Sequence, residues 1–179
     1  MRLAAVLGYD VRMSQCKQLA VVHRIVSGGQ TGVDRAALDA AIELGIEHGG
    51  WCPQGRIAED GVISADYRLR EAESPEYPLR TERNVVDSDG TLILFRERLF
   101  GGTELTRRLA VKCEKPYFLV DLAGNVDPAA IRQWLIVNKI RVLNVAGPRE
   151  SNCPGIGQAA RNVIRLLLSD PSALHLDPR

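Results

Sequence analysis

Neither sign of charge is in excess in this chain: 23 Lys and Arg stand against 22 Asp and Glu, a formal net charge of +1 over 179 residues. A general nucleic-acid binder neutralises phosphates with a broadly basic surface, and that footprint is missing. Any anion held here has to be gripped locally. Cysteine is sparse as well. Cys16, Cys52, Cys113 and Cys153 lie far apart without a C-x-x-C pair, which argues against a zinc site or a disulfide scaffold and fits reduced thiols in a cytoplasmic setting. The three histidines, His23, His48 and His175, share no spacing with one another or with a serine or acidic partner that would make a catalytic or metal-binding group. No apolar stretch is long enough to span a bilayer, and the first, Leu3 to Leu7, is too short for a signal-peptide core. The expectation is a soluble, cytoplasmic protein with neither nucleic acid nor membrane as partner.

What is present suits one domain, since 45% hydrophobic residues in a chain of this length supply a core. Residues 1–20 show no clear period and read as an N-terminal extension; 21–170 carry the fold, and 171–179 form a Pro-containing tail. Within the fold, strand and helix patterns alternate. Val21–Val26 reads as a strand, then Val33, Ala36, Ala37, Ala40, Ala41 and Leu44 recur at helical spacing until Gly45. A short strand is expected around His48–Cys52, a helix after Pro78, a buried strand over Thr91–Phe95, a helix from Thr103 and a strand in Tyr117–Leu122. Asp127 caps the next helix with Pro128 at its first position, Arg141–Gly147 gives the last strand, and a closing helix carries Ile156, Ala159, Ala160, Val163, Ile164, Leu167 and Leu168 on one face. This alternation predicts an α/β fold: a Rossmann-like open, mostly parallel sheet with helices on both faces, in a single domain. Its strand-to-helix turns share one edge, where a 2-1-3-4-5 order would put the ligand crevice.

Glycines cluster at those turns. Gly28, Gly29 and Gly32 interrupt the first strand-to-helix join, where backbone N–H groups and a positive helix end suit phosphate or carboxylate oxygens. Gln30 and Thr31 add polar side chains, Arg35 a charge, and Asp34 either orients Arg35 or takes a ligand hydroxyl. The cluster lacks the Lys-Ser/Thr of a P-loop, so a tight turn that packs helix on strand is the alternative. Gly101, Gly102 and Thr103 repeat the arrangement after Thr91–Phe95, with Thr103 and Glu104 either touching ligand or serving as an N-cap and a first-turn acid. The loop from Ala146 to Gly157 offers Arg149, turned inward or into solvent, and the loop after Trp51 offers Arg56 and Asp60. Cys52 is either a reactive thiol or a small buried hydrophobe.

Taken together, "VSGGQTGVDRAALDAA", "WCPQGRIAEDG", "RTERNVVDSDGTLILF", "GGTELT" and "LNVAGPRES" resemble the molybdenum carrier family of the SLOG superfamily, from about Ile25 to about Leu168. The resemblance implies a carrier that protects and delivers molybdenum cofactor, a phosphate-bearing molybdopterin, or a molybdate-related ligand. It also implies a homo-oligomer, dimer or tetramer, with molybdoenzymes as recipients. It places ligand contacts on Gly28, Gly29, Gln30, Thr31, Gly32, Gly101, Gly102 and Thr103. The related lysine-decarboxylase-like phosphoribohydrolases carry G-G-x-G-T-x-x-E, whereas here Glu104 follows Thr103 directly. On a helix that moves the carboxylate about 160° around the axis. Two alternatives stand beside the carrier: a nucleotide N-glycosidase or phosphate-ester hydrolase using Glu104 or Asp34, and a nucleotide or sugar-nucleotide sensor.

Overall fold

The computed structural model describes residues 22–75 and 77–169; the expectations for residues 1–20 and 171–179 lie outside them. Five parallel strands form the central sheet: β1 (Arg24–Val26), β2 (Glu47–Gly49), β7 (Gly90–Phe95), β8 (Tyr117–Asp121) and β9 (Val142–Ala146). Four short strands, β3 (Trp51–Cys52), β4 (Ile57–Ala58), β5 (Gly61–Val62) and β6 (Arg70–Glu71), make two small pairings outside it. The helices are α1 (Val33–Glu43), α2 (Tyr77–Val86), α3 (Gly101–Lys112), α4 (Pro128–Val137) and α5 (Ile156–Leu168).

The apolar run of β7 is buried at all but its last residue because the strand lies between β9 and β8 and is covered on both faces. Its alternate residues Leu92 and Leu94 join Ile25, Leu143 and Val145 in the main core, under α1, α4 and α5. On the other side α2 and α3 pack on each other around Val85, Leu109 and Ala110. The start of α4 follows its sequence: Asp127 accepts hydrogen bonds from the Ala129 and Ala130 amides at 2.9 and 3.2 Å, with Pro128 at the first helical position.

Two expectations need correction. The single strand around His48–Cys52 is two strands in different sheets, β2 and β3. Gly50 divides them, its Cα lying so close to the Ser27 backbone that a Cβ would not fit. The 2-1-3-4-5 order is also wrong, because β9, last in the chain, is inserted between β1 and β7. Side chains secure it there. The Asp89 carboxylate accepts from the Arg141 and Val142 amides at 2.9 and 2.8 Å, and Ser27 Oγ donates to the Val145 carbonyl at 2.7 Å. Counted from β9, the sheet β2-β1-β9-β7-β8 has the order 3-2-1-4-5 found in the core of dinucleotide-binding sheets. The switch point therefore falls between β9 and β7.

Burial predicts a contrast within α5, where Ile164 is fully buried and Leu166 half exposed. Ile164→Ala should lower unfolding stability by about 2–5 kcal/mol and Leu166→Ala by no more than about 0.5 kcal/mol, read as urea midpoints at unchanged slope.

Candidate functional site

The turns after β1, β7 and β9 meet at the switch point around a cavity of about 260 Å³. The first contributes Gly28, Gln30 and Asp34, the second Gly101, Gly102 and Thr103, and the third Gly147, Pro148 and Arg149. Arg80, Thr81 and Asn84 of α2 close one side, and Asn144 of β9 also lines it. Two of the three glycine-bearing turns singled out in the sequence thus face one space, with the β9 loop as a wall.

Each glycine of the first turn answers a packing demand. A Cβ on Gly28 would overlap the Arg80 guanidinium, one on Gly29 would strike Leu69 at 2.5 Å, and one on Gly32 would meet the backbone of Pro148–Glu150. Gly29 and Gly32 also hold φ of +74° and +76°, where other residues are strained. The same turn leaves donors uncommitted. Val33 N–H reaches the Pro148 carbonyl at 3.2 Å, and Gln30 N–H lies 3.4 Å from Asp34 Oδ2. Among the described residues, the amides of Gly28, Gly29, Thr31 and Gly32 have no acceptor. The second turn differs. Around Gly102 a Cβ would meet nothing within 4 Å, so no protein atom requires glycine there.

Asp34 and Arg80 form the buried charge of the site, 3.1 Å apart with side chains 8% and 12% exposed. Burial pushes the Asp34 carboxyl above its ordinary 3.8, while the charge and hydrogen bond of Arg80 pull it back. Arg35 does not pair with Asp34. Consecutive helical residues point about 100° apart, and Arg35 forks onto Asp60, with Nη2 to Oδ1 at 3.1 Å. That contact holds Asp60 below the usual carboxylate range. Gln30 is 2% exposed; its Nε2 donates to the Ile57 carbonyl at 2.9 Å, which leaves Oε1 buried without a donor among the described residues.

Other residues singled out in the sequence lie outside the cavity lining. Arg56 donates to the carbonyls of Ile63, Ser64, Tyr67 and Leu69 and so shapes its own loop. Thr31 donates to Glu59 and accepts from the Glu150 amide at 3.2 Å, tying the β4–β5 turn to the β9 loop. Glu104 pairs with Arg107 and Arg108 on its own helix, Arg107 above all holding its carboxyl down at about 2. Thr103 is not an N-cap: α3 begins two residues earlier, behind Phe100, and Thr103 is buried at the cavity wall. Cys52 is fully buried beside Leu38, Ile63 and Leu69, and burial pushes its thiol up. Among the described residues no group of three or more His, Cys, Asp or Glu could hold a metal ion, and no helix is long and apolar enough to cross a membrane.

Arg80 and Asn144 were missed in the sequence. Arg80 sits mid-helix in α2 and Asn144 mid-strand in β9, and no local spacing joins either to a turn more than forty residues away. The one available signal for Asn144 was a polar side chain inside an apolar run.

The sequence profile of the circularly permutated YpsA SLOG family matches residues 25–168. Among solved structures, the crystal structure of "Putative molybdenum carrier protein" from Syntrophus aciditrophicus SB at 1.45 Å is similar at 44% identity and a TM-score of 0.81. The match covers 83% of this chain and 96% of that one. No curated protein matches the chain at significance.

The Asp34–Arg80 pair generates a pH-dependent prediction. A carboxyl whose folded pKa is raised above 3.8 contributes most to stability when protonated, and that contribution is lost as pH rises through the raised value. Arg80→Met removes the charge that offsets the burial of the carboxylate. It should cost about 3–5 kcal/mol near neutral pH, and the deficit should shrink as the pH falls and the carboxyl takes up its proton. Urea midpoints of wild type and variant at neutral and at acidic pH check this.

Proposed function

The chain belongs to the circularly permutated YpsA SLOG family, and on that footing we propose that it is a carrier for a phosphorylated small molecule, with molybdenum cofactor as its ligand. The observation that carries this reading is the pair of unlike turns facing one cavity. At the first, Gly28 lies against the Arg80 guanidinium, and the amides of Gly28, Gly29, Thr31 and Gly32 lack acceptors among the described residues; at the second, Gly102 leaves space that no protein atom fills, at the positive end of a twelve-residue helix.

In this reading the phosphate is held by the amides of Gly28, Gly29, Thr31 and Gly32 and by those of Gly101 and Gly102. Arg80 and Arg149 supply charge from two sides, and Thr103 a hydroxyl. Gln30 Oε1 offers an acceptor to an amino or hydroxyl donor of the ligand, which would relieve the roughly 1–3 kcal/mol that an unmade buried hydrogen bond costs. Arg35, Arg56 and the Thr31 side chain act through the loops they hold rather than on the ligand. A ligand that brings its metal on its own dithiolene sulfurs asks no metal ligand of the protein. The structural neighbour's name points to the same class of cargo.

A second reading, an enzyme cleaving nucleotides, has one observation in its favour: Asp34, a carboxyl raised by burial, at the cavity wall. Glu104 does not serve it, being held as an anion by Arg107 and Arg108 outside the lining.

At a hundred times its Kd a ligand stabilises the fold by about 2.7 kcal/mol, which should raise the melting temperature by about 5–10 °C. A thermal-shift panel of molybdenum cofactor, nucleotides, sugar nucleotides and oxyanions should show the shift for molybdenum cofactor. Gly102→Leu, which projects into open space, should melt close to unliganded wild type and lose the shift. An unchanged shift in Gly102→Leu removes the site, and release of free base from nucleoside monophosphates, abolished by Asp34→Asn, replaces the carrier with the enzyme.

A further inference from the structure

In a 3-2-1-4-5 sheet the dinucleotide pyrophosphate lies at the N-terminus of the helix that follows the first strand. Counted from β9, that helix is α5 and that turn is the β9–α5 loop. A carboxylate of the protein already lies there. Glu150 accepts hydrogen bonds from the amides of Gly155 and Gly157, the second at 3.0 Å, one through each carboxylate oxygen. Its own amide donates to Thr31 Oγ1 at 3.2 Å, and the backbone around it packs against Gly32, so the residue is fixed from both ends. A second hollow, about 310 Å³ and lined by Thr31, Arg35, Glu150, Gly157 and Arg161, opens on the same place.

We infer that Glu150 is a specificity-determining residue, an internal carboxylate that occupies the phosphate position at the start of α5 and so excludes dinucleotides. Two formal negative charges cannot share one set of helix-end donors without losing the stabilisation that each gains from them. An incoming pyrophosphate would have to expel Glu150 from both amides, whereas a compact phosphoryl group has uncommitted amides at the α1 turn. The inference rests on the carrier reading only for where the ligand's phosphate goes. The closure of α5 stands on the contacts of Glu150.

The test follows backbone amides in the full chain, 15N-labelled, titrated separately with inorganic phosphate and inorganic pyrophosphate. In wild type the amides of Gly155 and Gly157 should not respond to either anion. In Glu150→Ala both should shift with pyrophosphate and saturate at a concentration at least about tenfold below the highest at which wild type stays silent. Should that variant fail to fold, Glu150→Gln keeps the side chain's shape while removing its charge, and its α5 amides should respond to pyrophosphate where those of wild type do not. Wild-type α5 amides that shift with pyrophosphate overturn the inference, and so do α5 amides that stay silent in every folded variant. Silence of Gly28, Gly29, Thr31 and Gly32 with a gain at α5 in the variant sinks the carrier site while leaving the role of Glu150 intact.

Discussion

The position of β9 is the constraint on which the site depends. Parallel strands feed their turns to one edge of a sheet, and two turns share a crevice only where strand order reverses. By lying between β1 and β7, β9 brings the loops that end at Gly32 and Gly101 to one cavity and adds its own loop as the wall. The hydrogen bonds of Asp89, Ser27 and Asn144 to or from this strand and its neighbours fix it in that slot. Ser27 and Asn144 are buried, so a register slip would leave them unpaired away from water.

The chemistry of the cavity follows from what those loops leave unused. Carboxylates occupy the donors on the far side of the α1 turn: Glu150 at α5, Glu59 across Thr31 and Ser151, Asp60 on Arg35. The amides of the α1 turn and of the α3 start carry no such carboxylate, and the Asp34–Arg80 pair lies beside the first of them. That pair has little net charge, so it supplies directed hydrogen bonding and a local dipole rather than a broad field. This matches a chain whose overall charge is close to zero.

Element types were legible in the sequence because apolar period and caps act locally. Thr91–Phe95 announced a buried strand, and Asp127-Pro128 announced a helix start that the structure repeats atom by atom. Strand order was not legible: periodicity tells which face of a strand is buried and says nothing about which strand lies beside it. The first glycine cluster was visible as a cluster, but its three tasks, accommodating Arg80, Leu69 and the Pro148–Glu150 backbone, depend on segments distant in the chain. The Asp34–Arg80 partnership escaped for the same reason, since helical geometry turns Asp34 towards α2 and its neighbour Arg35 towards the β4–β5 turn.

The permuted order also bears on how the molecule is made. Translation delivers β1–β2 and β7–β8 before the strand that joins them, so until β9 emerges the growing polypeptide holds two half-sheets with bare inner edges. The contact between β1 and β9 spans well over a hundred residues, a loop closure that comes late and slowly. The cavity is thereby completed only with the sheet, because it has no walls until the middle strand arrives.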